Sequence, residues 1–432
     1  VPNEQDLGSL LARLAERHRV PGAQLSVCHD SASVTVVTGR ERHGAATPVT
    51  ARSAFPLGSL TKPFTAALAM VLVADGDLDL DEPVAGYHPG VTLRRLLSHT
   101  AGLESNVDEQ AAAGVPRRRW VTRYPARLAP EHPPGTVFSY SNVGYLLAGH
   151  LVEEVTGLDW AEAVESVLLR PLGITPAFVV GAAGSRGVVC GHVLTDDRVL
   201  PVAEQVMPEV EAPNGALALS SADLLAFAAL FSANSPAPDV LDPATAALMC
   251  QDQLADVRVG PYGMADGWGL GWARYRGAGA DWFGHDGTGD GTSCHLRFDP
   301  ERGTAVALTT NGSTGAALWR ELCAELAERH VLPPEWGREP GEATPVAGPP
   351  DGAGHYANGP AEFVVTRQDD DGLALVLDGA QAVPLTCLPD LRFQLRLGTT
   401  VLSGRFLRDP DTGGIDHIQV TGRLARRRQV TG

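Results

Sequence analysis

Apolar residues recur at helical spacing from Leu7 to Leu14, and the stretch closes on Arg17 and Arg19 before Pro21-Gly22, a basic last turn followed by a stop signal. Alternating runs at 23–28 and 33–38 predict two adjacent strands, with a turn at 29–32. The apolar run 64–73 predicts a helix ending near Asp75-Gly76, residues 93–97 a short one, and residues 144–155 a third, with Leu146, Leu147, Leu151 and Val155 on one side. Residues 104–130 are polar and irregular. Residues 168–174 read as a helix end, 188–202 as strand and turn, and a helix starts near Ala222-Asp223 with Ser220 or Ser221 as its cap. Strand-like runs at 269–275, 292–298 and 304–310, then a helical run at 314–330, predict an antiparallel sheet with helices against it. Beyond residue 330 the pattern changes. Residues 333–354 are rich in Pro, Gly and Ala and predict a semi-rigid linker. Short alternating runs at 362–366, 373–377, 393–397, 401–407 and 415–420 then predict a small β-barrel or sandwich over 355–432. The expectation is an α+β unit over residues 1–332 followed by that smaller β unit. The ending Gly422-Arg423-Leu424-Ala425-Arg426-Arg427-Arg428 reads either as a basic tail or as a strand that carries an arginine toward the larger unit.

Length supports two units, because 432 residues exceed the usual size of one core. A chain 44% hydrophobic and 20% charged has ample material for those cores, which excludes disorder as its main state. A net charge of −17 argues against a nucleic-acid partner, whose binding needs a positive surface. No stretch reaches the roughly 18–20 apolar residues that span a bilayer. No basic-then-apolar leader opens the sequence either, although one removed ahead of Val1 would leave no trace. No membrane partner is expected. Cys28, Cys190, Cys250, Cys294, Cys323 and Cys387 lack C-x-x-C spacing and read as thiols of a reducing compartment, so a cytoplasmic location with neither metal nor other cofactor is expected.

Ser59 and Lys62 lie three residues apart at the start of an apolar run, so one helical turn places hydroxyl and amine on one face. An amine kept partly neutral by burial or neighbouring cations can take the proton of a serine nucleophile. The same spacing alone also fits a capping serine and a solvated lysine. Tyr140 and Asn142, two residues apart ahead of a buried helix, can aim into one cleft, the phenol to relay a proton and the amide to hold a substrate amide; a buried Tyr and an N-cap Asn are the alternative. The stretch 282–291 places many glycines at a strand end, which permits close backbone approach to a ligand. Within it His285 can donate a hydrogen bond to a substrate carbonyl or carboxylate, Gly287 leaves room for substrate, and the N–H of Thr288 can form an oxyanion hole with that of Ser59. A metal site at His285, Asp286 and His295 is the weaker reading, since no H-x-x-x-H helix or Cys cluster accompanies it. Gly215 gives a substrate room or makes a turn. His99, beside Gly at a helix end, reads as a capping or packing residue ahead of a catalytic one. Arg117, Arg118 and Arg119 read as a solvated face, or as one that meets an acidic partner.

In order, Ser59-x-x-Lys62, Tyr140-x-Asn142 and His285-x-Gly287, with Leu96-Leu97-Ser98-His99-Thr100-Ala101-Gly102-Leu103 and Phe138-Ser139-Tyr140-Ser141-Asn142, resemble the penicillin-binding-protein and class C β-lactamase superfamily over residues 7–330. The resemblance implies a β-lactamase/transpeptidase-like catalytic domain at 1–332. Ser59 would form the acyl-enzyme, Lys62 and Tyr140 share the proton work, Asn142 orient the acyl group, and His285 occupy the third motif. Histidine replaces the lysine of the Lys-Thr-Gly of class C β-lactamases, which weakens the fixed charge for a lactam carboxylate. That variant, Glu211-Ala212-Pro213 leading into 215–218, and a lipocalin-like barrel ending in Gly-Arg-Leu-Ala-Arg are similar to penicillin-binding-protein-type thioesterases, the stand-alone cyclases of nonribosomal peptides. This implies a peptidyl thioester substrate on a peptidyl carrier protein of a nonribosomal peptide synthetase, a peptidyl-serine intermediate and release as a head-to-tail macrolactam. Gly215 and Arg423 would bind the acyl residue and its polar neighbours. The alternatives are a D-stereospecific peptidase, carboxypeptidase or esterase with the same residues, and a silent binding protein of the same fold.

Overall fold

The computed structural model describes residues 3–29, 32–112, 114–124, 129–180, 187–260, 265–277, 279–337, 344–368, 372–397 and 400–428. Seven strands, β1 (Gly22–His29), β2 (Ala32–Gly39), β3 (Gly267–Trp268), β4 (Ala273–Gly277), β5 (Ala280–Gly289), β6 (Thr292–Asp299) and β7 (Thr304–Thr310), form one antiparallel sheet in the order β2-β1-β7-β6-β5-β4-β3. The N-terminal hairpin thus pairs with the last strand, with Leu25 opposite Leu308 and Val27 opposite Val306. Side chains alternate across a strand, so β7 feeds two cores. Val306 and Leu308 join Leu7, Leu11 and Leu14 of helix α1 (Glu4–Arg17) on one face, while Ala305 and Ala307 join the apolar helix α2 (Lys62–Ala74) on the other. Helix α2 is apolar around most of its circumference because it lies inside the molecule, with Phe64 stacked on Phe227 at 3.7 Å between ring centres. Helix α3 (Asn142–Thr156) packs against α2; Ser141 Oγ caps it by accepting from Gly144 N at 3.0 Å, and Gly157, in the left-handed region at φ 70°, ends it. Helix α4 (Gly315–Glu328) covers the α1 face of the sheet with Leu318, Leu322 and Leu326.

The smaller unit is a closed, eight-stranded barrel: β8 (Gly354–Asn358), β9 (Ala361–Arg367), β10 (Leu373–Leu377), β11 (Val383–Cys387), β12 (Arg392–Leu397), β13 (Thr400–Arg408), β14 (Ile415–Val420) and β15 (Arg423–Arg427). Its interior is filled by Tyr356, Phe363, Leu375, Phe393, Phe406 and Ile418. The alternation seen in the sequence marks five of these strands. It misses β8 and also β11, which carries Pro384, and β15 follows the strand reading of the basic stretch 422–428, with Ala425 facing the barrel interior and Arg427 bonded to Tyr356.

Three further expectations change. Residues 104–130 contain helices at Glu109–Ala112 and Arg117–Arg123. Successive helical residues point about 100° apart, and so Arg117 turns inward, donates to Val210 O at 3.1 Å and Glu209 O at 2.7 Å and pairs with Glu153, while Arg118 and Arg119 stay exposed. The run 269–275 is broken by a turn in which Gly269 N donates to Trp272 O at 2.7 Å and Gly271 takes φ +90°. The glycine-rich stretch 282–291 is mostly β5 itself, extended to Gly289. Of the expected linker, residues 338–343 lie outside the described residues. On its near side Trp336 packs edge-on to Tyr275 and Trp282, and on its far side Val346 N bonds Cys387 O at 2.9 Å.

The barrel docks through buried amides. Asn358 accepts from Ser105 N at 2.6 Å and donates to Leu424 O at 2.7 Å. Gln419, fully buried, donates to Phe138 O at 3.2 Å and Val259 O at 3.1 Å and accepts from Arg405 Nε at 2.8 Å. Removing one partner of such a set leaves the others unpaired out of water, at about 1–3 kcal/mol. Gln419→Ala is expected to lower the unfolding free energy by about 2 kcal/mol. A urea midpoint equal to that of the parent would show that these contacts hold nothing.

Candidate active site

The turn Gly58–Thr61 runs straight into α2 and carries Ser59, which is half-buried, while Lys62 is fully buried at the first position of the helix. Lys62 Nζ stands 3.1 Å from Ser59 Oγ and 2.9 Å from Asn214 O, to which it donates. Asn214 belongs to a single helical turn, Ala212–Gly215, that α2 fixes: Thr65 Oγ1 donates to Pro213 O at 2.7 Å, and Leu217 N donates to Thr61 Oγ1 at 3.1 Å. Burial, and next the guanidinium of Arg423, push the amine well below its ordinary pKa, with the Glu211 carboxylate pulling the other way. The amine is thereby poised as a base.

Glycines allow β5 to press against this turn. Gly58 has φ +53°, and a Cβ there would lie 2.2 Å from Thr288 O. A Cβ on Gly287 would lie 1.9 Å from Leu57 O and 2.7 Å from Leu60 N. Gly287 was expected to leave room for substrate; the structure uses that room for backbone packing and sets the Thr288 backbone against the residue before Ser59. Gly215 likewise faces Met207 Cε, at 2.9 Å from a built Cβ, and the backbone of Gly58, at 3.9 Å.

Tyr140, 1% exposed, lies beside this pair, its ring centre 5.1 Å from Lys62 Nζ. Asn142 is not the helix cap, which is Ser141; its Nδ2 donates to Asn106 Oδ1 at 3.2 Å and its buried Oδ1 has no protein partner. Arg423, at the start of the closing barrel strand, places its guanidinium carbon 5.2 Å from the centre of the Tyr140 ring. It follows the two-residue turn Thr421-Gly422, whose φ values of 48° and 81° are those of a tight hairpin, and Gly422 O accepts from Tyr140 N at 2.9 Å. The turn sets the arginine at the cleft.

His285 stands across from Tyr140, the ring centres 6.1 Å apart. Its hydrogen bond differs from the one expected. Nδ1 lies 2.6 Å from Asp286 O, and a carbonyl only accepts, so Nδ1 carries the proton. Burial, then Lys62, push the imidazole pKa down to about 3. The ring is neutral, and its buried Nε2, without a protein partner, is an acceptor and not a donor. Asp286 and His295 project from the opposite face, where Asp286 bonds His295 Nδ1 at 2.7 Å and Arg297 at 2.8 and 2.9 Å, and His295 Nε2 meets Ser293 Oγ at 2.9 Å. These three residues therefore do not converge on one point. Sequence reasoning missed Asn214, which acts through a backbone carbonyl that leaves no signature, and Trp268, which packs on both Tyr140 and His285.

The family model described as Beta-lactamase matches residues 7–373. Penicillin-binding protein 4 of Amycolatopsis lactamdurans is 35% identical over 355 residues, 77% of this chain and 92% of that protein. A solved structure described as the crystal structure of SurE is 36% identical with a TM-score of 0.82, covering 98% of this chain and 99% of that one. SurE with D-Leu is 37% identical with a TM-score of 0.81 over the same shares. Both likenesses take in the barrel as well as the larger unit.

Unfolded, His285 takes a proton near pH 6.5; folded, it resists until about 3. Between these values the unfolded state holds more protons, so stability falls as pH is lowered, by up to about 1.4 kcal/mol per pH unit for this group. His285→Gln is expected to flatten that fall, as urea melts at pH 3.5 to 6.5 would measure; an unchanged slope would show that the imidazole already protonates in the folded protein. Gly287→Ala is expected to cost about 3 kcal/mol or more, seen as a lowered melting temperature; an unchanged one would show that the strand has room to give.

Proposed function

This chain belongs to the beta-lactamase family, and on that premise we propose that it is a serine acyltransferase that takes a peptidyl thioester, forms a peptidyl-Ser59 ester and releases the peptide as a head-to-tail macrolactam. The observation that carries the reading is the amine of fully buried Lys62 at 3.1 Å from Ser59 Oγ, beside a tyrosine that the barrel arginine covers.

The first half-reaction makes the Ser59 Oγ–carbonyl bond and breaks the carbonyl–sulfur bond. The Lys62/Tyr140 pair takes the serine proton, and the thiol leaves with a proton. A thioester needs little help in leaving, so the pair works chiefly on the nucleophiles. The N–H groups of Ser59 and Thr288 receive the oxyanion. In the second half-reaction the peptide's own amine attacks the ester, the pair accepts a proton from nitrogen, and Ser59 leaves as the alcohol. His285 Nε2, an acceptor, suits an N–H of that incoming amine better than a carboxylate. Tethering the amine to the acyl group raises its effective concentration so that it outruns water.

Asn142 Oδ1, buried and unpartnered, is available to an N–H of the acyl residue, and Arg423 offers a fixed cation at the same cleft. The relative solved with D-Leu supports a D-configured residue as the acyl group. A peptidyl carrier protein is the proposed donor of the thioester.

Incubation with a linear peptidyl thioester ending in a D-residue is expected to give macrolactam, and intact-protein mass spectrometry a peptidyl adduct that Ser59→Ala abolishes. An adduct persisting in that variant would remove the mechanism. Free acid alone, across a varied panel of peptides, would convert the reading to a D-stereospecific hydrolase.

A further inference from the structure

We propose that His99 is the positioning residue of Tyr140, holding the tyrosine's two neighbours so that its phenol meets Lys62. The chain from Ser139 to Ser141 is bonded at three successive N–H groups. Ser139 N donates to His99 O at 3.0 Å, Tyr140 N to Gly422 O at 2.9 Å, and Ser141 N to His99 Nδ1 at 3.0 Å. The barrel hairpin thus grips one edge of this short segment, and a single histidine grips the other through both its main chain and its ring. The imidazole also lies on the Tyr140 ring, 4.3 Å between centres and tilted by 31°, with Trp268 and Tyr145 5.1 Å away on further sides.

The residue type follows from the geometry. A backbone N–H only donates, so Nδ1 is the acceptor and Nε2 bears the proton, the tautomer opposite to that of His285. His99 is 1% exposed and adopts φ +58° directly after the short helix Leu93–Leu97 and its cap Ser98, where Thr100 N donates to Arg95 O at 2.9 Å and His99 N to Leu96 O at 3.4 Å, a left-handed helix ending. That ending turns main chain and ring toward the same segment, Ser139–Ser141. His99 does end that helix, as its place beside Gly in the sequence suggests, but an ending of this kind requires no ring acceptor, and the bond from Ser141 N to Nδ1 is additional to it. The inference rests on the acyl-enzyme reading above, and acylation of the unaltered protein by an activated ester tests that reading separately.

His99→Asn and His99→Leu, in the full chain, separate position from packing. Asn offers Oδ1 at the bond distance of Nδ1 from the main chain and tolerates the left-handed region; Leu fills space but accepts nothing. With a p-nitrophenyl ester, the leucine variant is expected to lose about 100-fold in the acylation rate constant with KM changed less than about threefold, while the asparagine variant stays within about tenfold of the parent. Equal losses in the two variants, tracking their melting temperatures, would overturn the proposal. A leucine variant that fails to fold leaves a second measurement on the unaltered protein. Histidine-selective ¹⁵N NMR is expected to show His99 with a bare Nδ1 and a protected Nε2–H, and a protonated Nδ1 at His99 would equally overturn it.

Discussion

An amine taken wholly out of water keeps its proton only at large cost, and the structure is arranged around that constraint. Lys62 is fully buried, and the electrostatics around it favour loss of the proton: desolvation first, then the Arg423 cation, against a weaker pull from Glu211. Because Asn214 O accepts one of its N–H bonds, the amine is oriented as well as pushed toward its neutral form, and it stands beside the serine hydroxyl. A solvated lysine at the same spacing would be charged at neutral pH and useless for that purpose.

Holding the amine requires that three backbones meet within van der Waals distance. The nucleophile turn, β5 and the turn Ala212–Gly215 approach one another where Gly58, Gly287 and Gly215 carry no side chain, and at the first two a methyl group would fall within 2.2 Å of a carbonyl oxygen. The glycines of β5 are thus a packing device that fixes where Thr288 and His285 lie relative to Ser59. Behind the strand, the network of Asp286, His295, Arg297 and Ser293 braces the same peptide whose carbonyl sets the tautomer of His285.

The barrel contributes to the cleft from a closed, filled scaffold. Its interior is filled with side chains, and its docking face consists of buried amides that bond the main chain of the larger unit at Ser105, Phe138 and Val259. From that face one two-residue hairpin reaches Tyr140 with a carbonyl and an arginine. Two units far apart in sequence therefore share one tyrosine, and the electrostatics of Lys62 already include a residue from the end of the chain.

The order Ser59-x-x-Lys62, Tyr140-x-Asn142, His285-x-Gly287 was legible in the sequence because each pair is local, and local spacing maps directly onto a helical turn or a strand. Hydrophobic periodicity likewise found α1, α2, α3, the main strands and five of eight barrel strands, since burial on one face leaves a period that survives in one dimension. It left out β8 and β11, and it gave no sign at Arg117, where one of three equal charges turned inward. What only the tertiary structure decided are the quantities that depend on neighbours distant in the chain: the lowered pKa of Lys62, the tautomers of His99 and His285, the use of Gly287 for packing, and the arrival of Arg423 over Tyr140. Desolvation, hydrogen-bond partners and close backbone approach are set by what lies across space, and a linear order of residues does not carry them.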